Sequence, residues 1–264
     1  MKLVIKVGGE AVENRRVRRS VARQIAALCK SGCDVVMVHG GGKKLTRVLA
    51  SLAIPTEFAE GLRVTSAETR DVALMVLAGM VNKQWVTELH LQGQAALGIC
   101  GGDGGLMEAR KLVLRAGGRT TNLGFVGRPA KVNPAVLEMA FERRMAPVVA
   151  SMAPGPDGEY FNVNADDFAA ALAHALPADR LIYLTESGGV WDAERRQLPQ
   201  VRVSEIEALI RDGAVRDGMI PKLRSCANVL AGAVGEIDII SASAANGIQQ
   251  VLRNRGHAGT RIVR

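Results

Sequence analysis

The sequence predicts an α/β protein with a mostly parallel central sheet. Residues 3–5 and 35–38 are apolar runs with β-branched residues at odd and even positions, which is typical of strands buried on both faces. Each run leads into glycines, at residues 8–9 and 40–42, and a segment of helical periodicity follows each time. Repeated strand–glycine–helix units place such loops at the C-terminal edge of a parallel sheet, where ligands bind. Glycines there let backbone N–H groups approach an anion, so we expect an enzyme that handles phosphate.

Composition and charge argue against several classes of protein. The chain has 264 residues, 48% hydrophobic and 3% aromatic, which predicts a substantial aliphatic core. Its apolar runs are too short to span a membrane, and Lys6 and Glu10 interrupt any signal-peptide pattern, so we expect a cytoplasmic protein. The net charge of +8 comes from dispersed arginines without interleaved aromatics, which favours attraction of anionic metabolites over nucleic-acid binding. The scattered cysteines lack zinc spacing and are interpreted as structural thiols.

Two lobes are predicted, with their boundary in the stretch 177–179. The N-terminal lobe comprises residues 1–177 and the C-terminal lobe residues 178–264. Within the first lobe, residues 67–91 are predicted to form one long helix capped by Ser66, and residues 106–133 to form β-hairpins that could act as a lid.

The second lobe repeats the strand–glycine pattern and carries a lysine in an unusual place. Residues 181–185 read as a strand that feeds the loop 186–190, which contains two glycines. Lys222 lies in the first turn of the helix opened by the segment 217–221, which is predicted to run to about Ala233. A lysine there opposes the helix dipole, so we expect Lys222 to have an anionic partner.

Other polar residues permit two interpretations each. Arg63, in a loop before the long helix, is either an ordinary surface residue or a fork that binds a carboxylate. Asn162, Asn164 and Asp166 stand where a strand meets a helix, and either Asn164 or Asp166 could simply be the helix N-cap. The same positions also suit the orientation of ammonium groups and hydroxyls.

Common phosphate and catalytic motifs do not match the chain. Residues 42–44 fail the Walker pattern, neither N-terminal glycine run continues as a dinucleotide fingerprint, and the hydrolase and protein-kinase signatures do not occur. What remains is a set of glycine loops and two lysines, Lys6 and Lys222, from different lobes. Phosphoryl transfer needs in-line positioning and positive charge, which those lysines, glycine N–H groups and Mg²⁺ would supply.

Five motifs in this order and spacing resemble the acetylglutamate kinases of the amino-acid kinase superfamily. They are Lys6-Val-Gly-Gly, Val38-His-Gly-Gly-Gly, Gly61-Leu-Arg-Val-Thr, Asn162-Val-Asn-Ala-Asp and Asp217-Gly-Met-Ile-Pro-Lys. The resemblance runs from residue 2 to the segment 259–262. It implies a three-layer αβα sandwich in two lobes, with the acyl substrate and the dimer surface in the first lobe and ATP in the second. It also implies phosphorylation of the γ-carboxylate of N-acetyl-L-glutamate by ATP, the second step of arginine biosynthesis.

The resemblance assigns roles to individual residues. Lys6 and Lys222 would stabilise the transferring phosphoryl group, from the attacking side and the nucleotide side respectively, while Asp166 holds both lysines. The N–H groups of Gly9 and Gly42 would bind phosphoryl oxygens, and Gly41 and Gly42 would flank the acyl substrate. Arg63 and Asn162 would recognise the α-carboxylate and the acetamido end of that substrate. The residues that would bind the nucleotide are Glu186, Ser187, Gly188, Gly189, Val190, Trp191, Val215 and Met219. Mg²⁺ would be held mainly by the nucleotide phosphates and water, without a metal site of the protein's own.

The chain departs from the family pattern at three places. Glu186 stands where an aspartate is usual, Lys43-Lys44 adds charge after the glycine triplet, and the first strand starts at residue 2 without the extra N-terminal helix of arginine-inhibited hexamers. We therefore expect a homodimer that arginine does not inhibit, with a PII-type signalling protein as a further candidate partner.

A kinase for N-succinylglutamate or an aminoadipate derivative is the alternative, since Lys43 and Lys44 could accept an extra carboxylate. A non-catalytic regulatory module on the same fold is a second alternative, which retention of Lys6, Lys222 and Asp166 disfavours.

Overall fold

The computed structural model describes residues 1–116, 119–215, 219–232, 234–253 and 259–264. Three sequence features fall outside the described residues: the turn glycines Gly117-Gly118, the motif residues Asp217-Gly218 and the expected helix end at Ala233. In the described part, strands and helices alternate along most of the chain, as the glycine-punctuated pattern predicts.

The strands follow the apolar runs closely. In chain order they are β1 (Lys2–Val7), β2 (Asp34–His39), β3 (Phe58–Ala59), β4 (Leu62–Arg63), β5 (Ala96–Cys100), β6 (Met107–Ala116), β7 (Arg119–Val132), β8 (Ala146–Ala150), β9 (Met152–Pro154), β10 (Tyr160–Val163), β11 (Arg180–Thr185), β12 (Val190–Trp191), β13 (Gln197–Leu198), β14 (Gln200–Arg202), β15 (Glu236–Ser241) and β16 (Gly259–Val263). The short strands β3, β4, β12 and β13 form two small separate ribbons, whose few residues give no periodic signal.

The helices connect these strands. They are α1 (Glu10–Glu13), α2 (Arg15–Lys30), α3 (Gly42–Ser51), α4 (Ala67–Ala73), α5 (Asn82–Leu91), α6 (Ala135–Glu142), α7 (Ala165–Ala175), α8 (Ile206–Arg211), α9 (Met219–Leu230) and α10 (Gly247–Leu252). A π-helical stretch, Leu74–Val81, joins α4 to α5, so the predicted long helix is present but widened in its middle. The Ser66 side chain accepts a hydrogen bond from the Thr69 N–H group, which confirms the predicted cap.

Among the described residues, the central sheet has eight strands in the order β14-β16-β15-β11-β1-β2-β8-β5. Neighbouring strands from β15 to β5 pair in parallel, and β16 runs antiparallel to β15. The predicted lobe boundary at residue 177 separates β1 from β11 in the chain, yet these two strands are neighbours in the sheet. The two predicted lobes therefore share one sheet. The division into lobes stays a prediction.

Two apolar cores cover the two faces of this sheet. Strand residues such as Val4, Val36 and Leu181 pack with α7 and α9, whereas their neighbours Leu3 and Val35 pack with α2 and α5. This alternation is what the β-branched runs predict for strands buried on both faces. The mostly parallel αβα architecture expected from the sequence is confirmed.

A second sheet lies beside the first core and contains four described strands in the order β6-β7-β10-β9. Strands β6 and β7 form a long antiparallel hairpin, which confirms the predicted hairpin structure of the segment 106–133. Strand β10 pairs in parallel with β7 and leads directly into α7. The second sheet thereby fixes the start of α7 relative to the central sheet, while the predicted lid movement stays a prediction.

Candidate active site

The predicted glycine loops meet at one edge of the central sheet. Val7, the last residue of β1, is in register with His39 at the end of β2 and with Leu184 near the end of β11. All three strands run in the same direction, so the loops that follow them, including residues 8–9, 40–42 and 186–189, emerge side by side. This edge is where the sequence predicts the ligand site.

Strand periodicity places Lys6 on the face of the sheet that α7 and α9 cover. Lys6 has the same parity as Val4, whose side chain packs in the core with these two helices. The first turn of α7 carries Asp166, and the first turn of α9 carries Lys222. Three charged side chains from separate parts of the chain therefore converge at the edge of the sheet.

Asp166 is paired with both lysines. The Lys6 Nζ atom lies 2.8 Å from Asp166 Oδ1, and the Lys222 ammonium group donates to Asp166 Oδ2. All three side chains are largely buried, with side-chain exposures of 14% for Lys6 and 17% for Asp166, and 9% for Lys222. The expected anionic partner of Lys222 is thus Asp166.

The two lysines keep Asp166 ionised. Burial by itself raises the pKa of Asp166, but the ammonium groups of Lys6 and Lys222 outweigh burial and hold that pKa well below its usual range. Burial lowers the pKa of Lys222, with Lys6 acting in the same direction and Asp166 opposing both. Two lysines against one carboxylate leave a surplus of positive charge, which suits an anionic group placed beside them.

The two interpretations of the Asn164 and Asp166 positions are resolved by the geometry. Asn164 is the N-cap of α7, because its Oδ1 atom accepts hydrogen bonds from the N–H groups of Asp166, at 2.8 Å, and of Asp167, at 3.4 Å. The Asp166 side chain is consequently free of capping and points to the lysines. Cap and charged group are therefore neighbouring residues with separate roles.

Tyr183 is a part of the cluster that sequence reasoning missed. It lies on β11, is fully buried, and its ring centroid is 4.7 Å from Lys222 Nζ. Its hydroxyl donates a hydrogen bond of 3.4 Å to the backbone carbonyl of Asp166. A tyrosine inside an apolar strand run gives no signal of its own, so only the packing of α7 and α9 over β11 reveals this contact.

The second glycine loop is supported by a buried polar pair that was also missed. His39 Nδ1 lies 3.0 Å from the Gly40 carbonyl oxygen, and Asn82 Nδ2 lies 3.1 Å from His39 Nε2. These contacts fit a neutral ring that donates from Nδ1 and accepts at Nε2. Burial lowers the pKa of His39 to about 4, so the ring stays neutral at physiological pH. His39 and Asn82 thereby position the backbone that opens the glycine triplet.

Arg63 is buried, with 7% exposure, so the surface interpretation is wrong. Its Nη2 atom donates to the Thr46 hydroxyl at 2.8 Å and to the Gly42 carbonyl oxygen at 3.2 Å. Its Nη1 atom donates to the Thr56 hydroxyl at 3.3 Å. The guanidinium group therefore braces the second glycine loop, and its remaining N–H groups leave the predicted carboxylate-binding role open.

Glu186 and Lys43, two of the residues that depart from the family pattern, contact each other. The Lys43 Nζ atom lies 2.8 Å from Glu186 Oε1, although the residues are 143 positions apart. The same carboxylate lies against Gly9, where an added Cβ atom would be 2.5 Å from Glu186 Oε1. Gly9 also has a φ of 49°, so a side chain there would be both strained and obstructed.

Most of the remaining predicted nucleotide residues lie in the segment that follows β11. Gly188 donates its N–H group to the Thr185 hydroxyl at 3.0 Å, and the Trp191 indole N–H donates to the Ser187 carbonyl oxygen at 3.0 Å. Val190 and Val215 are buried, while Met219 is partly exposed at the start of α9 and Gly189 is buried beside Gln197 and Thr260. Hydrogen bonds within the loop hold it closed, and its role toward a nucleotide stays a prediction.

Asn162 is a predicted site residue whose described contacts do not join it to the charged cluster. It lies on β10, paired with Val126 of β7 and Met152 of β9, and is partly exposed.

In the described part of the chain, groups of three or more His, Cys, Asp or Glu side chains that could hold a metal are not found. A search of the same residues finds no helix that is long and apolar enough to cross a membrane.

Comparison with known proteins identifies the family. A model described as the amino acid kinase family matches residues 1–241 of the chain. The chain belongs to the amino acid kinase family. The family predicted from the five motifs is thereby confirmed.

Individual relatives span the whole chain. It is 44% identical to the acetylglutamate kinase of Koribacter versatilis over 263 residues, which cover 100% of this chain and 99% of that protein. Identity to the acetylglutamate kinase of Acidobacterium capsulatum is also 44%, over 264 residues, 100% of this chain and 99% of the relative. A crystal structure of N-acetylglutamate synthase from Neisseria gonorrhoeae superposes with a TM-score of 0.87 at 23% identity. It covers 100% of this chain, which spans 59% of the synthase, and at that identity it shows the fold alone.

Proposed function

We propose that the protein transfers the γ-phosphoryl group of ATP to the γ-carboxylate of N-acetyl-L-glutamate, giving N-acetyl-L-glutamyl 5-phosphate and ADP. The observation that carries this proposal is the pairing of Lys6 and Lys222 with the two oxygens of Asp166 beside the glycine loops. Relatives with 44% identity over the whole chain are named acetylglutamate kinases, which supports the substrate. The reaction is then the second step of arginine biosynthesis.

The charged cluster suits the demands of this reaction. A carboxylate oxygen of the substrate attacks the γ-phosphorus, a new O–P bond forms, and the bond to the β-phosphate oxygen breaks as ADP leaves. Negative charge builds up on the equatorial oxygens in between, so catalysis depends on fixed cations and N–H groups. Lys6 would stabilise the attacking side and Lys222 the leaving side, while Asp166 keeps both ammonium groups at a fixed spacing.

The glycine loops and Arg63 would hold the acyl substrate. The N–H groups of Gly9 and Gly42 are proposed to bind phosphoryl oxygens, and Gly41 and Gly42 to flank the substrate. Arg63, braced by Thr46, lies directly beside Gly42 and offers further N–H groups to the α-carboxylate. Asn162 would bind the acetamido end, a role that rests on the family resemblance alone.

The nucleotide is proposed to bind on the C-terminal side of the site. The loop from Glu186 to Trp191, with Val215 and Met219, would receive it. Mg²⁺ would accompany the nucleotide, held by phosphate oxygens and water, and would neutralise phosphate charge. Both oxygens of Asp166 already contact lysines, so its carboxylate is engaged in ion pairs beside the site.

A kinase for N-succinylglutamate or an aminoadipate derivative is the alternative. Its sequence argument was that Lys43 and Lys44 could accept an extra carboxylate. The ion pair between Lys43 and Glu186 weakens it, because the ammonium group of Lys43 already has an anionic partner from the chain.

A substrate panel tests the proposed activity. ADP release would be measured with ATP, Mg²⁺ and, in turn, N-acetylglutamate, N-succinylglutamate, N-acetylaminoadipate and free glutamate. We expect kcat/KM to be highest for N-acetylglutamate by at least about tenfold, the discrimination that a mismatched group in a shaped pocket produces. A higher value for the succinyl compound would favour the alternative, and no turnover with any acyl amino acid would refute the kinase.

We also propose that the protein forms a homodimer through its N-terminal half. The stretch between α4 and α5 exposes large apolar side chains, with Met75 62% and Met80 43% exposed, and Leu91 at the end of α5 is 65% exposed. Exposed apolar groups on one helical segment are typical of a surface that another chain covers. Strand β5, at the edge of the sheet, lies on the same side. Sedimentation equilibrium of the wild type and of Met75→Glu distinguishes a dimer that the substitution dissociates from a monomer or hexamer.

Cytoplasmic location, insensitivity to arginine and a PII-type partner stay predictions. Each has a direct measurement, namely cell fractionation, ADP release in the presence of arginine, and co-purification with a PII protein.

A further inference from the structure

The contact between Lys43 and Glu186 lies inside the proposed site. Lys43 has no role so far, and Glu186 has one only as the first residue of the loop that would receive the nucleotide. Lys43 is in the first turn of α3, directly after the glycine triplet, and Glu186 directly follows β11. The pair therefore connects the two predicted lobes across the edge of the sheet. Both side chains are exposed, by 64% and 51%, so neither is fixed by packing.

The Glu186 carboxylate lies between Lys43 and the first glycine loop. Its Oε1 atom is 2.8 Å from Lys43 Nζ and occupies the space beside Gly9 where a side chain would otherwise stand. The adjacent Gly8 lies against the Lys6 ammonium group, since an added Cβ atom there would be 2.8 Å from Lys6 Nζ. Lysine ammonium groups bind carboxylates and phosphates alike, so a phosphate in this space would meet the same cation.

We propose that Lys43 is a further phosphate-binding residue, and that Glu186 occupies the place of the nucleotide's terminal phosphate until the nucleotide displaces it. This inference rests on the proposed function, because it takes the terminal phosphate to lie beside Gly9. On binding, Lys43 exchanges one anionic partner for another. Glu186 turns toward solvent, which its exposure permits at little cost.

The exchange makes a specific prediction about the sign of two substitutions. Lys43→Gln removes an attractive cation and weakens nucleotide binding. Glu186→Gln removes a competing anion and strengthens it. If the pair were only a structural link between the two halves of the chain, both substitutions would break the same link and act in the same direction.

Isothermal titration calorimetry with Mg²⁺ and either AMP-PNP or ADP, without acyl substrate, tests this directly. For Lys43→Gln we expect the Kd of AMP-PNP to rise about tenfold, as the loss of one charge-assisted contact produces. The Kd of ADP, which lacks the terminal phosphate, should change by less than about threefold by the same reasoning. For Glu186→Gln the Kd of AMP-PNP should fall by about threefold or more.

Two matched variants control the experiment. Lys44→Gln removes the same charge from the next residue of α3 and should leave both Kd values unchanged, since the described ion pairs do not include Lys44. Lys43→Arg keeps the charge and should restore AMP-PNP binding to within about threefold of the wild type.

Three results would overturn the proposal: an unchanged Kd in Lys43→Gln, an unchanged Kd in Glu186→Gln, or shifts of the same sign in both. Failure of the proposed function is a separate result, because it is read from turnover of N-acetylglutamate by the wild type.

Discussion

The two ion-pair systems at the edge of the sheet differ in burial and in the number of charges that hold each carboxylate. Asp166 binds Lys6 and Lys222 and is largely enclosed. Among the described ion pairs, Glu186 is joined to Lys43 alone, and both of these side chains are mostly exposed. Each system nevertheless joins the first 177 residues to the rest of the chain.

The difference indicates which charges are permanent and which can be exchanged. A buried carboxylate between two ammonium groups is costly to leave unpaired, so its partners stay fixed through a reaction cycle. An exposed pair is screened by water and salt and contributes little to stability, so a ligand can replace one partner easily. The fixed system suits the stabilisation of charge in a transition state, and the exchangeable one suits ligand entry.

The largest expected effect is on the fixed system. Lys6→Met should lower kcat for N-acetylglutamate phosphorylation by about 10²–10³-fold, as removal of one group that stabilises developing charge typically does. Steady-state ADP release measures it, with Lys2→Met, at the other end of β1, as the control. A kcat within about threefold of the wild type would show that Lys6 does not contact the moving phosphoryl group.

Asp166→Asn should lower kcat by about tenfold or more. It should also destabilise the fold by about 3 kcal/mol at pH 7, because two buried lysines lose their counter-charge. Urea unfolding and circular dichroism measure the second effect. An unchanged unfolding midpoint would mean that Asp166 does not hold the lysines.

The acid dependence of stability follows from the same carboxylate. Its pKa is lower in the folded protein than in the unfolded chain, where a value of about 3.9 is usual, so acid protonates the unfolded chain first. The contribution of ionised Asp166 to the free energy of unfolding is therefore fully present above the pKa of the unfolded chain. It is lost as the pH falls from that value through the lower pKa of the folded protein. The variant Asp166→Asn should lack this part of the acid dependence.

His39 should affect stability in a different pH range. Its pKa is about 4 in the folded protein and about 6.5 in an unfolded chain, so the unfolded chain takes up a proton as the pH falls through this window. As the pH falls from 7 to 4, protonation of this histidine in the unfolded chain should lower the free energy of unfolding by up to roughly 3 kcal/mol. Comparison with His39→Gln by urea unfolding at several pH values isolates the contribution, and parallel pH profiles for the two proteins would contradict it.

The smallest expected effect on stability is that of the exposed pair. Lys43→Gln and Glu186→Gln should each leave the melting temperature within about 2 °C of the wild type, since exposed ion pairs contribute little. Differential scanning calorimetry at low and high salt measures this. A clear destabilisation by both variants would show that the pair is a structural link.

Much of the fold could be predicted because its signals are local. The apolar runs of β1, β2 and β11 and the glycines after them each specify a buried strand that ends at a loop, and parallel pairing then brings the loops together. The expected anionic partner of Lys222 also follows locally, from the conflict between a lysine and the start of a helix. The identity of that partner depended on the family resemblance, because Asn164 and Asp166 are equally good caps by sequence.

The contacts that were missed join residues far apart in the chain. His39 meets Asn82 and Lys43 meets Glu186 only after the helices have packed on the sheet, and neither pair has a spacing that sequence reasoning can use. For the second pair the signal was indirect, since both residues depart from the family pattern. Two departures with opposite charges at loops on the same sheet edge are a reason to expect a contact.

The central claim is that Lys222 and Lys6, held by Asp166, stabilise the phosphoryl group in transfer. The most direct test is the kcat of Lys222→Ala for ADP release with ATP and N-acetylglutamate, beside Arg224→Ala, which removes an exposed charge from the same helix. We predict a loss of about 10²-fold or more for Lys222→Ala with the fold retained, and nearly full activity for Arg224→Ala. A Lys222→Ala protein that keeps most of its kcat would contradict the claim.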